Sequence, residues 1–127
     1  MTIAKSRSET KTLLWIDDCP KMLNVLVEIV EPEFKIIGTL VSARFAIEKA
    51  KELQPDIILL DIDLGDMNGF SVAEQLRDSG CRAKIVFLSA HENVEFTKAA
   101  QALGADGYVF KSQIVRELLT TLRKVVS

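Results

Sequence analysis

Little in this chain of 127 residues favours a secreted, membrane or nucleic-acid-coating protein. It has two cysteines, Cys19 and Cys81, in no metal-like spacing; they read as free thiols in a reducing cytoplasm. No apolar run is long enough to span a membrane. Residues 1–11 are polar, carry Lys5, Arg7 and Lys11 and lack the apolar core of a signal peptide, so a loose N-terminal tail on a cytoplasmic protein is expected. The net charge of −2 argues against direct contact with nucleic acid. There is one histidine, His91, and its plain reading is a solvent-exposed side chain. Repeats, low-complexity tracts and internal linkers are absent, and the length suits one domain, residues 12–127, with a real core.

What is present is an alternation. Thr12–Ile16, Phe34–Leu40, Ile57–Leu60, Lys84–Leu88 and Gly107–Phe110 read as strands. Apolar residues at helical spacing follow each: Leu23, Leu26, Val27 and Val30; Ala43, Ala46, Ile47 and Ala50; Val72, Ala73 and Leu76; Phe96, Ala99, Ala100 and Leu103; Val115, Leu118, Leu119, Leu122 and Val126. Ser42 and Ser112 are expected helix caps. Glu31-Pro32, Gln54-Pro55, Ser79-Gly80 and Gly104 mark helix ends. Strand then helix, five times over, predicts an α/β fold with a doubly wound parallel sheet. The strands are apolar throughout, as strands covered on both faces should be.

Polar residues cluster just after strand ends: Asp17 and Asp18, Asp61, Ser89 and Lys111. In one parallel sheet these share the carboxyl edge, where α/β folds bind ligands. Three crowded carboxylates repel unless neutralised, and an oxygen-rich site of this kind suits Mg²⁺. A metal, an ammonium and a hydroxyl around one carboxylate form a site for a phosphoryl group. Aspartate can itself be the nucleophile, with cations neutralising the transferring group.

Ile16-Asp17-Asp18, Asp61 followed by Gly69, Leu88-Ser89-Ala90 and the stretch from Gly104 to Lys111 together resemble the receiver domain of two-component response regulators, over about residues 12–126. The resemblance implies the flavodoxin-like strand order 2-1-3-4-5, which is that of the chemotaxis receiver. It implies that Asp61 is phosphorylated from a phosphohistidine on a sensor histidine kinase or phosphotransfer protein. Asp18, Asp61 and the carbonyl of Asp63 would hold Mg²⁺, with Asp17 acting through water. Lys111 would pair with Asp61 and then with the phosphoryl group. Ser89 would turn its hydroxyl onto a phosphoryl oxygen, and Tyr108 would be the switch aromatic that follows. The implied protein is a switch that catalyses only its own phosphorylation and dephosphorylation. The face of the fourth helix, fifth strand and fifth helix would meet the partner. An output domain beyond the last helix, and a homodimer, are family habits that the sequence leaves open.

The chain departs from the family pattern. Ser112 stands where a cis proline usually follows the lysine. A cis bond before a non-proline costs about 3 kcal/mol, so a trans bond or a strained loop is expected. Gly65 replaces a common proline. Asp63 and His91 occupy positions that in the family tune the access of water, and the sign of Asp63's effect stays open. Plainer readings stand beside these: Asp17 and Asp18 as helix-capping acids, Ser89 as a structural hydroxyl, Lys111 as a surface lysine, Tyr108 as a half-buried strand residue and Trp15 as packing. Three other functions remain. Asp61-Ile62-Asp63 has the look of a haloacid-dehalogenase-type phosphatase, although that class places its acid pair late. A flavodoxin-like nucleotide binder would need a glycine-rich loop after the first strand, where acids stand instead. A receiver-shaped interaction domain that is never phosphorylated is the last.

Overall fold

The computed structural model describes residues 10–65 and 67–127. Residues 1–9 of the expected tail lie outside this range, and Lys11 already belongs to the first strand. Five parallel strands, β1 (Lys11–Ile16), β2 (Phe34–Leu40), β3 (Ile57–Asp61), β4 (Lys84–Ser89) and β5 (Gly107–Phe110), form one sheet in the order β2-β1-β3-β4-β5. The crossovers carry α1 (Leu23–Val30), α2 (Ala46–Leu53), α3 (Gly69–Asp78) and α4 (Val94–Ala102), and α5 (Ile114–Val126) follows the last strand. This is the predicted fold.

Alternation along the strands builds two cores. Leu14, Ile16, Ile58, Leu60, Ile85 and Phe87 face α2, α3 and α4, where they meet Ala46, Leu76 and Ala100. Leu13, Trp15, Ile57, Leu59, Val86 and Leu88 face α1 and α5, against Leu26, Val30, Leu118 and Leu122. Every residue of β3 is buried, because its neighbours β1 and β4 and both helical layers enclose it. Trp15 is packing, as expected, at 2% exposure. Among the described residues, no helix is long and apolar enough to cross a membrane.

Both expected serine caps fail. Ser42 Oγ accepts from Arg44 N at 3.3 Å, closing a local turn, and α2 begins later, at Ala46 behind Phe45. Ser112 Oγ donates instead to Glu92 at 2.7 Å, and a short 3-10 turn over Lys111–Gln113 delays α5 to Ile114. A serine side chain that satisfies its own loop is not free to cap a helix. A similar short turn, Pro20–Met22, precedes α1. Gly38 coincides with the register shift between Leu13 and Leu14 opposite β2, where a side chain would press on Leu53 and Leu14.

Gly69 couples the fold to the acidic edge. Its N–H donates to Ile62 O at 2.6 Å, and Asn68 caps α3 by accepting from Ser71 N at 3.0 Å. A Cβ on Gly69 would run into the carbonyl of Asp61 and lie 2.9 Å from Ile62 Cα. Backbone cannot step aside as a flexible side chain can. Gly69→Ala is therefore expected to destabilise the fold by about 1–3 kcal/mol, read as a lower urea midpoint with an unchanged slope. An unaltered midpoint would mean that the loop between β3 and α3 does not fix this approach.

Candidate phosphoacceptor site

The register of the sheet brings the acidic residues together. β1 pairs with β3 through Ile16 and Leu60, so the residues that follow, Asp17 and Asp61, emerge side by side. Asp17 N donates to Leu40 O at 2.9 Å, which ties the end of β1 to β2. β3 pairs Asp61 with Leu88, and β4 pairs Ser89 with Phe110. Ser89 and Lys111 thus reach the same edge. Asp17, Asp61 and Ser89 are the buried polar residues among those described, at 2%, 3% and 0% exposure. Asp18 is exposed.

One carboxyl oxygen from each of Asp17, Asp18 and Asp61 can be chosen so that all lie within 4.8 Å of one another. Lys111 Nζ lies between two of these residues, donating to Asp61 Oδ2 at 2.9 Å and lying 3.1 Å from Asp17 Oδ2. Asp17 Oδ1 accepts from Cys19 N at 2.8 Å, and Asp61 Oδ1 accepts from Asp63 N at 3.1 Å. Asp17 Oδ2 is out of line for a hydrogen bond with the ammonium and is left without a donor, although buried. An orphaned buried carboxylate oxygen beside two further carboxylates is a donor set that fits a hard cation.

Asp63 is not part of this carboxyl cluster. Its side chain is 63% exposed and meets His91 Nε2 at 2.8 Å. His91 is therefore only partly exposed; its ring also packs on Phe96, with centroids 4.2 Å apart. Neither contact was anticipated from sequence. Equal offsets were the available signal: Asp63 and His91 each stand two residues beyond Asp61 and Ser89, on adjacent parallel strands. His91 N donates to Ser89 Oγ at 2.8 Å, and Tyr108 Oη donates to His91 O at 2.9 Å. The Tyr108 ring is half-buried, 6.4 Å from that of Phe87. One residue of the loop between β4 and α4 thus links the serine to the tyrosine. The Lys111–Ser112 peptide is trans, since among the described residues the cis bond is Glu31–Pro32. A trans bond was one of the two outcomes expected for Ser112, and a 3-10 turn over Lys111–Gln113 follows it.

Burial pushes the Asp17 carboxyl above its ordinary value; the Cys19 N–H opposes this, the charge of Asp61 adds to it, and Lys111 opposes it. Burial pulls Lys111 down, but the hydrogen bond to Asp61 and the charges of Asp17 and Asp61 more than offset that and hold it above the usual lysine value. For Asp17 the folded chain binds the proton more tightly than the unfolded chain. That contribution is fully present below 3.8, the unfolded value, and is lost as pH rises through the folded value. Ionised Asp17 therefore opposes folding at neutral pH. Asp17→Asn keeps an acceptor for Cys19 N and is expected to raise the Tm of the metal-free protein by a few degrees at neutral pH. The gain should vanish in acid below the unfolded value. Calorimetry across pH checks this, and a lower Tm at neutral pH would contradict it.

The sequence model of the response regulator receiver domain matches residues 13–123. The nitrate/nitrite response regulator protein NarL of Escherichia coli K12 is 32% identical over 124 residues, covering 96% of this chain and 57% of NarL. The chain thus spans little more than half of that relative. The chemotaxis protein CheY of Halobacterium salinarum is 33% identical over 101 residues, which cover 80% of this chain and 84% of that protein. Among solved structures, a LuxR-family two-component response regulator from Aurantimonas sp. SI85-9A1 superposes with a TM-score of 0.86 at 25% identity, covering 93% of this chain and 86% of the other. With these relatives and the strand-end acids in place, the chain belongs to the response regulator receiver domain family of two-component signalling.

Proposed function

We propose that Asp61 is the phosphoacceptor of this receiver and that residues 12–127 form the domain that switches on its phosphorylation. The observation that carries this is the buried Asp61 carboxylate, held by Lys111 Nζ at 2.9 Å and flanked by Asp17 and Asp18. Receiver domains interact with histidine kinases or phosphotransfer proteins. A carboxylate oxygen of Asp61 attacks the phosphorus of a phosphohistidine. The O–P bond forms as the N–P bond breaks, and the imidazole leaves with the electron pair. Receiver domains generally bind Mg²⁺ at this acidic pocket, and the bound ion supplies positive charge to the phosphoryl oxygens. Asp18, Asp61 and the Asp63 carbonyl are the proposed ligands, with Asp17 acting through water.

Lys111 exchanges its contact with Asp61 for a phosphoryl oxygen, so its charge stays paired throughout. Ser89 Oγ, which accepts from His91 N, turns its own proton toward the phosphoryl group. That movement loosens the loop between β4 and α4 on which the Tyr108 hydroxyl rests. Only a difference in binding between the two arrangements can shift their populations. The face of α4, β5 and α5 reports that shift to the partner. The domain does no chemistry beyond its own phosphorylation and dephosphorylation, and a cytoplasmic site is the proposed location. An output domain beyond α5 or a second copy of this chain is the proposed recipient of that shift.

Intact-mass spectrometry after incubation with acetyl phosphate, with and without Mg²⁺, tests the acceptor. One phosphoryl adduct is expected, dependent on Mg²⁺ and absent from Asp61→Asn. An adduct that survives that substitution would place the acceptor elsewhere. No adduct from acetyl phosphate or from phosphohistidine donors would favour an interaction domain that is never phosphorylated.

A further inference from the structure

Asp63 presents its two halves to different neighbours. Its N–H donates to Asp61 Oδ1 at 3.1 Å, while its carboxylate is turned out and bound to His91 Nε2 at 2.8 Å. The imidazole is anchored independently of Asp63. Its ring packs on Phe96, and both backbone polar groups of His91 are engaged, the N–H by Ser89 Oγ and the carbonyl by Tyr108 Oη. The ring is thus the fixed partner and the carboxylate is the group that is held. Without this contact, a side chain two residues from Asp61 is free to turn toward a site that already gathers three carboxylates against the one ammonium of Lys111.

We propose that His91 is a positioning residue that keeps the Asp63 carboxylate away from Asp61, so that a fourth negative charge does not oppose the incoming phosphoryl group. The proposal rests on the receiver reading given above and assigns a sign to Asp63. Held by His91, it is neutral toward phosphoryl uptake; released, it is inhibitory. Released, that charge moves closer to the reacting phosphorus, and the difference in Coulomb energy between the two positions slows attack by an anionic donor about two- to fivefold. The same released charge draws a divalent cation more tightly.

The test is a double-mutant cycle on the whole chain with Asp63→Asn, His91→Ala, their combination, and the conservative His91→Gln, which retains a side-chain N–H donor. Uptake from acetyl phosphate with Mg²⁺ is followed by intact mass: the P–O bond of the donor breaks, the bond to Asp61 forms and acetate leaves. His91→Ala is expected to slow uptake about two- to fivefold and His91→Gln much less. In the Asp63→Asn background, His91→Ala should change the rate by less than about twofold. Calorimetric titration with Mg²⁺ provides a readout free of phosphorylation: His91→Ala should tighten binding severalfold, and only when residue 63 is aspartate. If the unsubstituted protein takes up no phosphoryl group from acetyl phosphate or from a phosphohistidine donor, the phosphoacceptor reading fails, and the Mg²⁺ cycle still decides the role of His91. Equal effects of His91→Ala in both backgrounds would overturn the proposal, since His91 would then act through Ser89 and not through Asp63. So would no effect in either.

Discussion

The contact of one ammonium with two buried carboxylates is the constraint from which the acidic edge follows. Lys111 Nζ sits 2.9 Å from Asp61 and 3.1 Å from Asp17, with 20% of the lysine side chain exposed. Two neighbouring carboxylates on adjacent strand ends repel, and burial strengthens the repulsion by removing water. A single lysine lessens this charge without abolishing it. The remainder shows as a buried Asp17 oxygen without a donor and as an Asp17 that holds its proton more firmly than usual. An acidic edge left short of positive charge fits a hard cation, which would add positive charge beside that of Lys111. Replacing a buried ion pair with well-packed apolar residues is often neutral or stabilising, so this cluster is a weak source of stability for the fold.

The rest of the molecule holds those groups in place. β3 is central and wholly buried, so Asp61 stands on rigid backbone, and the parallel register brings β1, β4 and β5 to the same edge. Gly69 allows the loop after β3 to fold back against the Asp61 carbonyl. The loop after β4 is tied to this edge by hydrogen bonds. His91 joins Ser89, Asp63 and Tyr108 through hydrogen bonds of 2.8, 2.8 and 2.9 Å, at the start of the segment that leads into α4. A stiff centre beside a hydrogen-bonded loop gives local chemistry a route to a distant surface.

The fold was legible because four of the strands are apolar runs that end on or lead into a polar residue, while β2 carries exposed Lys35 and Thr39, and each helix repeats at its own spacing. β2 matches its expected range, and β3 and β4 each extend one residue further, to Asp61 and Ser89. The cluster of Asp17, Asp18, Asp61, Ser89 and Lys111 was legible for the same reason: strand ends in a parallel sheet share an edge. Helix starts were less legible, because Ser42 and Ser112 satisfy their own loops and a 3-10 turn intervenes before α5. The Asp63–His91 contact was missed because each residue was weighed alone. Pairing them requires the register of β3 against β4, which sequence periodicity implies but does not display.

A crystal structure with Mg²⁺ and beryllofluoride, a stand-in for the phosphoryl group, tests the central claim most directly. The account predicts beryllium bonded to a carboxylate oxygen of Asp61, Mg²⁺ held by Asp18 and Asp61, and Lys111 Nζ and Ser89 Oγ each on a fluoride. Beryllium bound to another residue, or a fluoride cluster to which Lys111 makes no contact, would contradict it.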